Sequence, residues 1–245
     1  MIGVDGDRGL IPRAVAKLFH AKREIEHGGH ELGNISVKML EIYNKEVQDL
    51  LEYNAGSDGQ LIKLKLSSNE AVENVKVNAR DKQEVESVLK LAQERRCVKS
   101  TKFNAESSRS HLLFTIHFNC LLTDDASISR RSGCLHIIDL AGNKRPDKSG
   151  NHGALLTKAK HINTSLSVLV LVIKKLQAKK KSNHIPYRDS KLTRLLKNSL
   201  GGDSKMLAIV CCSPHQAHFN QSLNSIRFAA NASKVELKEA NTVEV

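Results

Sequence analysis

Two short stretches of the sequence carry side chains that suit chemistry at a phosphate group. In "NAESSRSH", residues 104–111, three serines and an arginine stand directly before an alternating apolar run. In "HIIDLAG", residues 136–142, an apolar run ends in Asp139, and Gly142 follows. Serine hydroxyls can cap a turn, or they can ligate a metal and position a water. An aspartate at the end of a buried strand can hold magnesium while a glycine amide meets a terminal phosphate.

Several predicted strands must position these side chains. Residues 112–118 alternate in character, which predicts a strand buried on one face. The continuous apolar runs 134–142 and 206–214 predict strands that are buried on both faces. Residues 34–51 begin as a strand and then turn polar, which predicts a short helix after that strand. Residues 57–68 have the weak pattern of a hairpin.

Helices are predicted between these strands. An amphipathic stretch has Pro12 in its first turn, where proline is well tolerated. Asp81 and Glu84 form a capping-box pattern that predicts the start of a second helix. Apolar residues recur at spacings of four and three within 162–176, and 219–237 predicts a final helix. The alternation of strands and helices predicts the α/β class with a largely central, covered sheet.

The composition limits the classes of function. The chain has 245 residues and a net charge of +12, so an acidic partner is expected: nucleic acid, a lipid surface or an acidic protein. The five cysteines show no metal-binding spacing and are expected to be reduced, intracellular thiols. The apolar run "LSVLVLVI" is less than half a membrane span, and the N-terminus lacks the apolar core of a signal peptide. A cytoplasmic chain without membrane insertion is therefore expected.

Together, the two phosphate-related stretches resemble the switch I and switch II elements of the kinesin motor domain. "HINTSLSVL" and "HIPYRDSKLTRLL" resemble the family's switch II helix and the microtubule-contacting segment after it. "SVKMLEIYNKEVQDLL" and "SLNSIRFAANASKVEL" resemble its middle strand and last helix, so the resemblance runs from about Gly9 to Leu237. It implies a three-layer α/β/α fold with a central, mostly parallel or mixed sheet. Residues 1–245 would form a single, N-terminally truncated motor domain.

The resemblance also implies roles for individual residues around ATP and Mg²⁺. Ser107 and Ser108 would meet the metal and the attacking water, and Arg109 would lock switch I to switch II. Asp139 would bind the metal through water, so Ser108 and Asp139 are the expected metal-binding residues. The amide of Gly142 would meet the γ-phosphate. The expected catalytic set is Asn104, Ser107, Ser108, Arg109, Asp139 and Gly142.

A basic segment supplies the expected binding face for acidic tubulin. Between Leu171 and Leu200 there are nine basic residues and one acidic residue, Asp189. No aromatic stacking platform or recognition-helix pattern accompanies these charges, so no nucleic-acid partner is expected. By resemblance, the microtubule-binding residues are Lys174, Lys175, Tyr187, Arg188, Lys191, Arg194 and Lys197.

The sequence departs from the family pattern at several points. No phosphate loop of the form G-x-x-x-x-G-K-[ST] occurs, and Met1 falls on a family methionine that follows that loop. Lys144 stands where the family has the glutamate that pairs with the switch I arginine. Two like charges at about 4 Å cost about 4 kcal/mol at an effective dielectric of about 20, so Lys144 and Arg109 should move apart. Lys158 and residues 170–171 also differ from the family pattern.

The expected function is microtubule binding, coupled in an intact parent chain to ATP hydrolysis and movement along microtubules. The end of the chain soon after the last motor helix suits the C-terminal-motor, minus-end class, with the spindle as one site of action. Dimerisation would involve only segments outside this sequence. One alternative is a non-hydrolysing microtubule-binding module with a degenerate nucleotide site, and a remoter one is a basic nucleic-acid-binding fragment. A phosphate loop encoded upstream of Met1 would favour the motor.

The missing phosphate loop generates a prediction about catalysis. Purified 1–245 should show no microtubule-stimulated ATP hydrolysis, because nothing in the sequence replaces the phosphate-cradling amides and lysine of that loop. A phosphate-release assay with and without microtubules measures this. Turnover above background that is abolished by Ser108→Ala would contradict the prediction.

Overall fold

The computed structural model divides the described part of the chain into two compact units. One unit lies within Met1–Gly142 and the other within Asn143–Asn241. The described residues are 1–4, 6–28, 31–43, 45–53, 61–66, 75–103, 110–124, 127–142, 154–178 and 184–236.

The first unit is built on a seven-stranded sheet. Its elements are β1 (Gly3–Val4), β2 (Asp7–Arg8), α1 (Leu10–His27), β3 (Glu31–Leu32), β4 (Ile35–Tyr43), β5 (Glu46–Tyr53), β6 (Leu61–Leu64), β7 (Val77–Ala79), α2 (Lys82–Phe103), β8 (His111–Asp124) and β9 (Ser127–Asp139).

The strand order of the sheet is β3-β8-β4-β5-β6; in addition, β7 pairs with β4 and β9 pairs with β8. Every ladder between the described strands is antiparallel, including the small β1–β2 pair. The mostly parallel pairing expected from the sequence is therefore absent from the described strands. Short connections such as those between β4 and β5 and between β8 and β9 allow only antiparallel neighbours.

The second half of the stretch 34–51 forms a strand, so the helix predicted there is wrong. β4 and β5 pair with Tyr43 opposite Glu46, and Lys45 in the turn has a φ of 64°. Val47 and Asp49 on β5 are fully buried. The Asp49 carboxylate accepts hydrogen bonds from backbone amides, including those of Leu51 and Val75, each at 2.8 Å. These bonds satisfy the buried Asp49 carboxylate, so a polar residue in this part of the stretch is compatible with a strand. β6 pairs with β5. The hairpin expected within 57–68 lies partly outside the described residues and stays a prediction.

The helices of the first unit begin where local signals predict. Pro12 is buried in the first turn of α1, and Gly28 follows the last helical residue. At the start of α2, the amide of Glu84 donates to Asp81 Oδ1 at 2.9 Å, and Glu84 Oε2 accepts from the amide of Arg80 at 2.7 Å. The helices and the sheet share one hydrophobic core. Its most deeply buried members include Ile11, Val15, Val37, Met39, Leu50, Ala92, Leu112, Phe114 and Ile116.

β9 is less buried than its apolar sequence predicts. Ile137 is 7% exposed, but Leu135 and Leu140 are 39% and 38% exposed. Among the described strands, β9 pairs with β8 alone, so it forms an edge of the sheet. The expectation of burial on both faces is therefore wrong for Leu135 on β9 and for Leu140, the residue that follows the strand.

The second unit is helical. Its elements are α3 (Ala154–Gln177), a 3-10 turn (Tyr187–Asp189), α4 (Lys191–Leu195), α5 (Lys197–Gly201), a second 3-10 turn (Gln216–His218) and α6 (Phe219–Ala232). The predicted helices over 162–176 and from 219 are confirmed. The side-chain amide of Gln177 on α3 donates a hydrogen bond to the carbonyl of Asn231 on α6. None of the described helices combines the length and apolar character that crossing a membrane requires.

Residues 206–214 do not form the buried strand that their apolar sequence predicts. The segment has no ladder partner within the described residues, and Leu207 and Ile209 are 85% and 61% exposed. Its end is tied to α6, because the Ser213 amide donates to Ser222 Oγ at 3.0 Å and that hydroxyl donates to the Ser213 carbonyl at 3.0 Å. An apolar pattern alone cannot show whether a partner strand lies beside it.

The exposure of this segment generates a prediction about stability and aggregation. Replacing Leu207 and Ile209 together with threonine should change the free energy of unfolding by no more than about 0.5 kcal/mol per site, because surface substitutions cost little. The same change should reduce aggregation, since it makes an exposed apolar segment more polar. Urea denaturation and light scattering measure the two effects.

The matched control uses the same residue types at buried positions. Ile173→Thr with Leu192→Thr, at sites that are 2% and 0% exposed, should cost several kcal/mol because each change buries a hydroxyl and leaves a cavity. An equal loss of stability in both double variants would show that Leu207 and Ile209 are buried in solution.

Candidate functional site

The pairing of β8 with β9 brings Ser110 and His111, the described end of the first phosphate-related stretch, close to the end of β9. Leu112 lies opposite Asp139, so the start of β8 is next to the end of β9. Asp139 is half-buried, and Gly142 is exposed. Asn104, Ser107, Ser108 and Arg109 lie outside the described residues, as does Lys144. Their roles, and the repulsion between Lys144 and Arg109, stay predictions.

A buried histidine connects the two stretches. The backbone amide of Ala141, which follows β9, donates a hydrogen bond to Nδ1 of His111 at 3.0 Å. His111 and Ala141 are 2% and 5% exposed, so water does not compete for this bond. His111 is not among the site residues predicted from the sequence. One signal in the sequence could have identified it: His111 lies between the serine cluster and the alternating apolar run that begins at Leu112.

A buried ion pair holds the residue just before His111. The Ser110 hydroxyl donates to Glu41 Oε1 at 2.6 Å, and Arg96 donates through Nε to the same oxygen at 3.0 Å. Arg96 Nη2 also donates to Ser110 Oγ at 2.9 Å. The side chains of Arg96 and Glu41 are 15% and 6% exposed. This cluster could not be predicted from the sequence, because Glu41 and Arg96 are 55 positions apart in the chain.

The histidines of the sheet are held in the neutral form. Burial lowers the pKa of His111 from 6.5 to about 4. Burial also lowers the pKa of His117 to about 4, with smaller contributions from the positive charges of Lys76 and Lys38. The pKa of His136 is lowered by burial and by Lys38, and its Nδ1 lies 2.9 Å from the hydroxyl of Thr115.

The predicted microtubule-binding residues lie on consecutive elements of the second unit. α3 contacts α4 and the 3-10 turn, and α4 contacts both that turn and α5. Ser190 caps α4, because its Oγ accepts from the Leu192 amide at 3.2 Å. The fully buried Thr193 donates through Oγ1 to the Tyr187 carbonyl at 2.9 Å, which ties the turn to the helix. Leu169, Val172, Ile173, Leu192, Leu196 and Leu200 are the buried apolar residues of these helices.

The seven predicted side chains differ in exposure. Three of them, Lys174, Arg188 and Lys197, are exposed. The other four, Lys175, Tyr187, Lys191 and Arg194, are half-buried. A Cβ added at Gly201 would collide with the Tyr187 hydroxyl, so Gly201 allows the ring to pack closely. The structure therefore brings the predicted residues together, but only some of them are fully open to a partner.

The family model of the kinesin motor domain matches residues 1–235, and the chain belongs to the kinesin motor family. Human kinesin-like protein KIF27 is 37% identical over 96% of the chain, which covers 17% of that protein. Chromosome-associated kinesin KIF4 of Xenopus laevis is 40% identical over 94% of the chain and 19% of its own length. The kinesin heavy chain of Botryotinia fuckeliana is 38% identical over 98% of the chain and 27% of its own length.

Solved kinesin structures have the same fold. A fast kinesin superposes with a TM-score of 0.82 and 35% identity, covering the whole chain and 67% of that structure. A KIF14 dimer in complex with a microtubule superposes with a TM-score of 0.85 and 28% identity, covering the whole chain and 69% of that structure. These similarities confirm the predicted α/β kinesin fold. The chain spans well under half of the length of the curated relatives it matches.

The lowered pKa of His111 generates a prediction about acid stability. The folded chain binds a proton at His111 more weakly than the unfolded chain does, so stability is fully present above pH 6.5 and is lost as the pH falls toward 4. At about 1.4 kcal/mol per pKa unit, the loss is on the order of 3 kcal/mol. The free energy of unfolding, measured by urea denaturation at several pH values, should fall less steeply between pH 6.5 and 4 for His111→Asn than for the wild type. An unchanged slope in that variant would contradict the assignment.

Proposed function

We propose that residues 1–245 bind microtubules through a basic face, defined here as Lys174, Lys175, Tyr187, Arg188, Lys191, Arg194 and Lys197. The observation that supports this most is the placement of all seven residues on adjoining elements of one unit. A similar chain, KIF14, has been solved in complex with a microtubule. The kinesin relatives act on microtubules, so we also propose a place on the cytoplasmic cytoskeleton.

The charge of the basic face suits an acidic filament. Lys174, Arg188 and Lys197 are exposed, and Asp189 is the single acidic residue between positions 171 and 200. Exposed charges attract an oppositely charged partner over a Debye length of about 8 Å at physiological salt. The half-buried side chains are fixed by packing, so they can contribute shape-complementary contacts that do not depend on salt. Binding should therefore combine a salt-dependent and a salt-independent contribution.

The kinesin motor family uses ATP and Mg²⁺, and the described residues supply only part of a site for them. Asp139 offers one carboxylate at the end of β9, and Gly142 offers an exposed backbone. Among the described residues, no three His, Cys, Asp or Glu side chains are grouped so that they could hold a metal ion. These residues do not fit a complete Mg-ATP site, so no catalytic step is derived from them.

We infer that hydrolysis belongs to a motor domain that also contains a phosphate loop, a motif that residues 1–245 lack. There, Ser108, Asp139 and the Gly142 amide would take the roles that the family resemblance implies. Action at the spindle belongs to the same proposal. A second candidate function is a non-hydrolysing microtubule-binding module. The sequence supports this alternative through Lys144 and through the absence of a phosphate-loop motif.

Charge reversal tests the proposed binding face. Arg188→Glu with Lys197→Glu changes two exposed residues of the face and should weaken microtubule binding by about tenfold or more, because attraction becomes repulsion. Co-sedimentation with taxol-stabilised microtubules at several salt concentrations measures the affinity. Wild-type binding should weaken as salt rises.

The matched control reverses two exposed basic residues of α1, Lys17→Glu with Arg23→Glu, and changes the net charge by the same amount. This control should lose much less affinity than the variant of the basic face. Equal losses would show that binding depends on net charge alone. Tighter binding to duplex DNA than to microtubules would support the nucleic-acid alternative.

A further inference from the structure

The start of β8 is fixed on one side by a fully hydrogen-bonded cluster. Ser110 donates to Glu41 on β4, and Arg96 on α2 donates to both of them. Because the ion pair is almost completely buried, breaking it would leave an uncompensated charge inside the unit. Ser110 therefore has little freedom to move relative to β4 and α2.

The next residue carries this restraint across to the end of β9. His111 pairs with Ile42 on β4 and is buried, and its Nδ1 accepts from the amide of Ala141. Ala141 stands between Asp139 and Gly142, the two residues expected to sense magnesium and the terminal phosphate. One side chain thus joins the anchored start of β8 to the backbone of the loop at 140–142.

We propose that His111 is a positioning residue that fixes the backbone of residues 140–142 against the start of β8, so that the two switch segments move together. The proposal rests on the proposed kinesin function, because it concerns the segments that such a function uses. His111 itself contacts the loop backbone through Nδ1, so its part in the site is indirect.

The chemistry of the contact specifies the side chain. An amide donor requires an acceptor at Nδ1, so the neutral imidazole carries its proton on Nε2. The oxygen of an asparagine side chain occupies nearly the same position as Nδ1 and can also accept. A leucine has a similar volume but no acceptor, and it would leave the buried Ala141 amide without its bond.

This bond differs from the ion pair that the family uses between its switches. By family resemblance, Lys144 would face Arg109, and two like charges there would repel. The contact between His111 and Ala141 involves no charge, and it joins the first residue of β8 to the segment that follows β9. It can therefore couple the segments even where the ion pair cannot form.

The test uses the full chain and solution NMR. In the wild type, long-range ¹H–¹⁵N spectra should show the Nε2–H tautomer of His111, and the Ala141 amide should be protected from hydrogen exchange. In His111→Leu this amide should exchange about tenfold faster, in line with the loss of one buried hydrogen bond. In His111→Asn the exchange rate should stay within about twofold of the wild type. The control His117→Asn, on the same strand, should leave Ala141 unchanged.

The outcomes are separable from those of the proposed function. An Nδ1–H tautomer in the wild type, an unprotected Ala141 amide, or equal acceleration in the leucine and asparagine variants would overturn the positioning role. The tautomer is read in the wild type, so it decides the question even if the leucine variant fails to fold. Failure of the wild type to co-sediment with microtubules would overturn the proposed function and leave the hydrogen bond result standing.

Discussion

The antiparallel ladder between β8 and β9 is the constraint on which the candidate nucleotide site depends. Its register sets Leu112 opposite Asp139, and the pairing extends to Asp124 opposite Ser127. Because side chains alternate along a strand, a slip by one residue would turn Asp139 to the other face of the sheet. The buried apolar residues of β8 oppose such a slip, since Leu112, Phe114 and Ile116 are at most 1% exposed.

The candidate microtubule face depends on a different set of interactions. Thr193 ties the 3-10 turn to α4 by a hydrogen bond, and Leu192 and Ile173 bury apolar surface beneath the basic side chains. This packing lies within the second unit, so the basic face can persist whether or not the nucleotide site is complete. The proposed microtubule binding therefore does not depend on a complete nucleotide site, and it is common to the motor and to the non-hydrolysing module.

The parts of the fold that sequence reasoning predicted are those fixed by local interactions. Asp81 and Glu84 form a cap within four residues, and the alternation from Leu112 specifies β8. The missed parts depend on distant partners. Glu41 meets Arg96 only after folding, and Asp49 is satisfied by an amide 26 positions away.

The same limit explains the errors in predicted burial. An apolar run such as 206–214 shows that a segment can be buried, but the partner strand that would cover it must be present in the structure. Within the candidate site, family resemblance supplied Asp139, Gly142 and the basic residues. It did not supply His111. The partner of His111 is a backbone amide, and residue types alone cannot show which amide a side chain will meet.

Hydrogen–deuterium exchange of the chain with and without microtubules tests the central claim most directly. If the basic face is the binding surface, amides over residues 184–201 should become protected when microtubules are present. Amides of α1 and of β4 should exchange as before, because those elements belong to the other unit. Protection confined to α1 or to the sheet, with none over 184–201, would contradict the account.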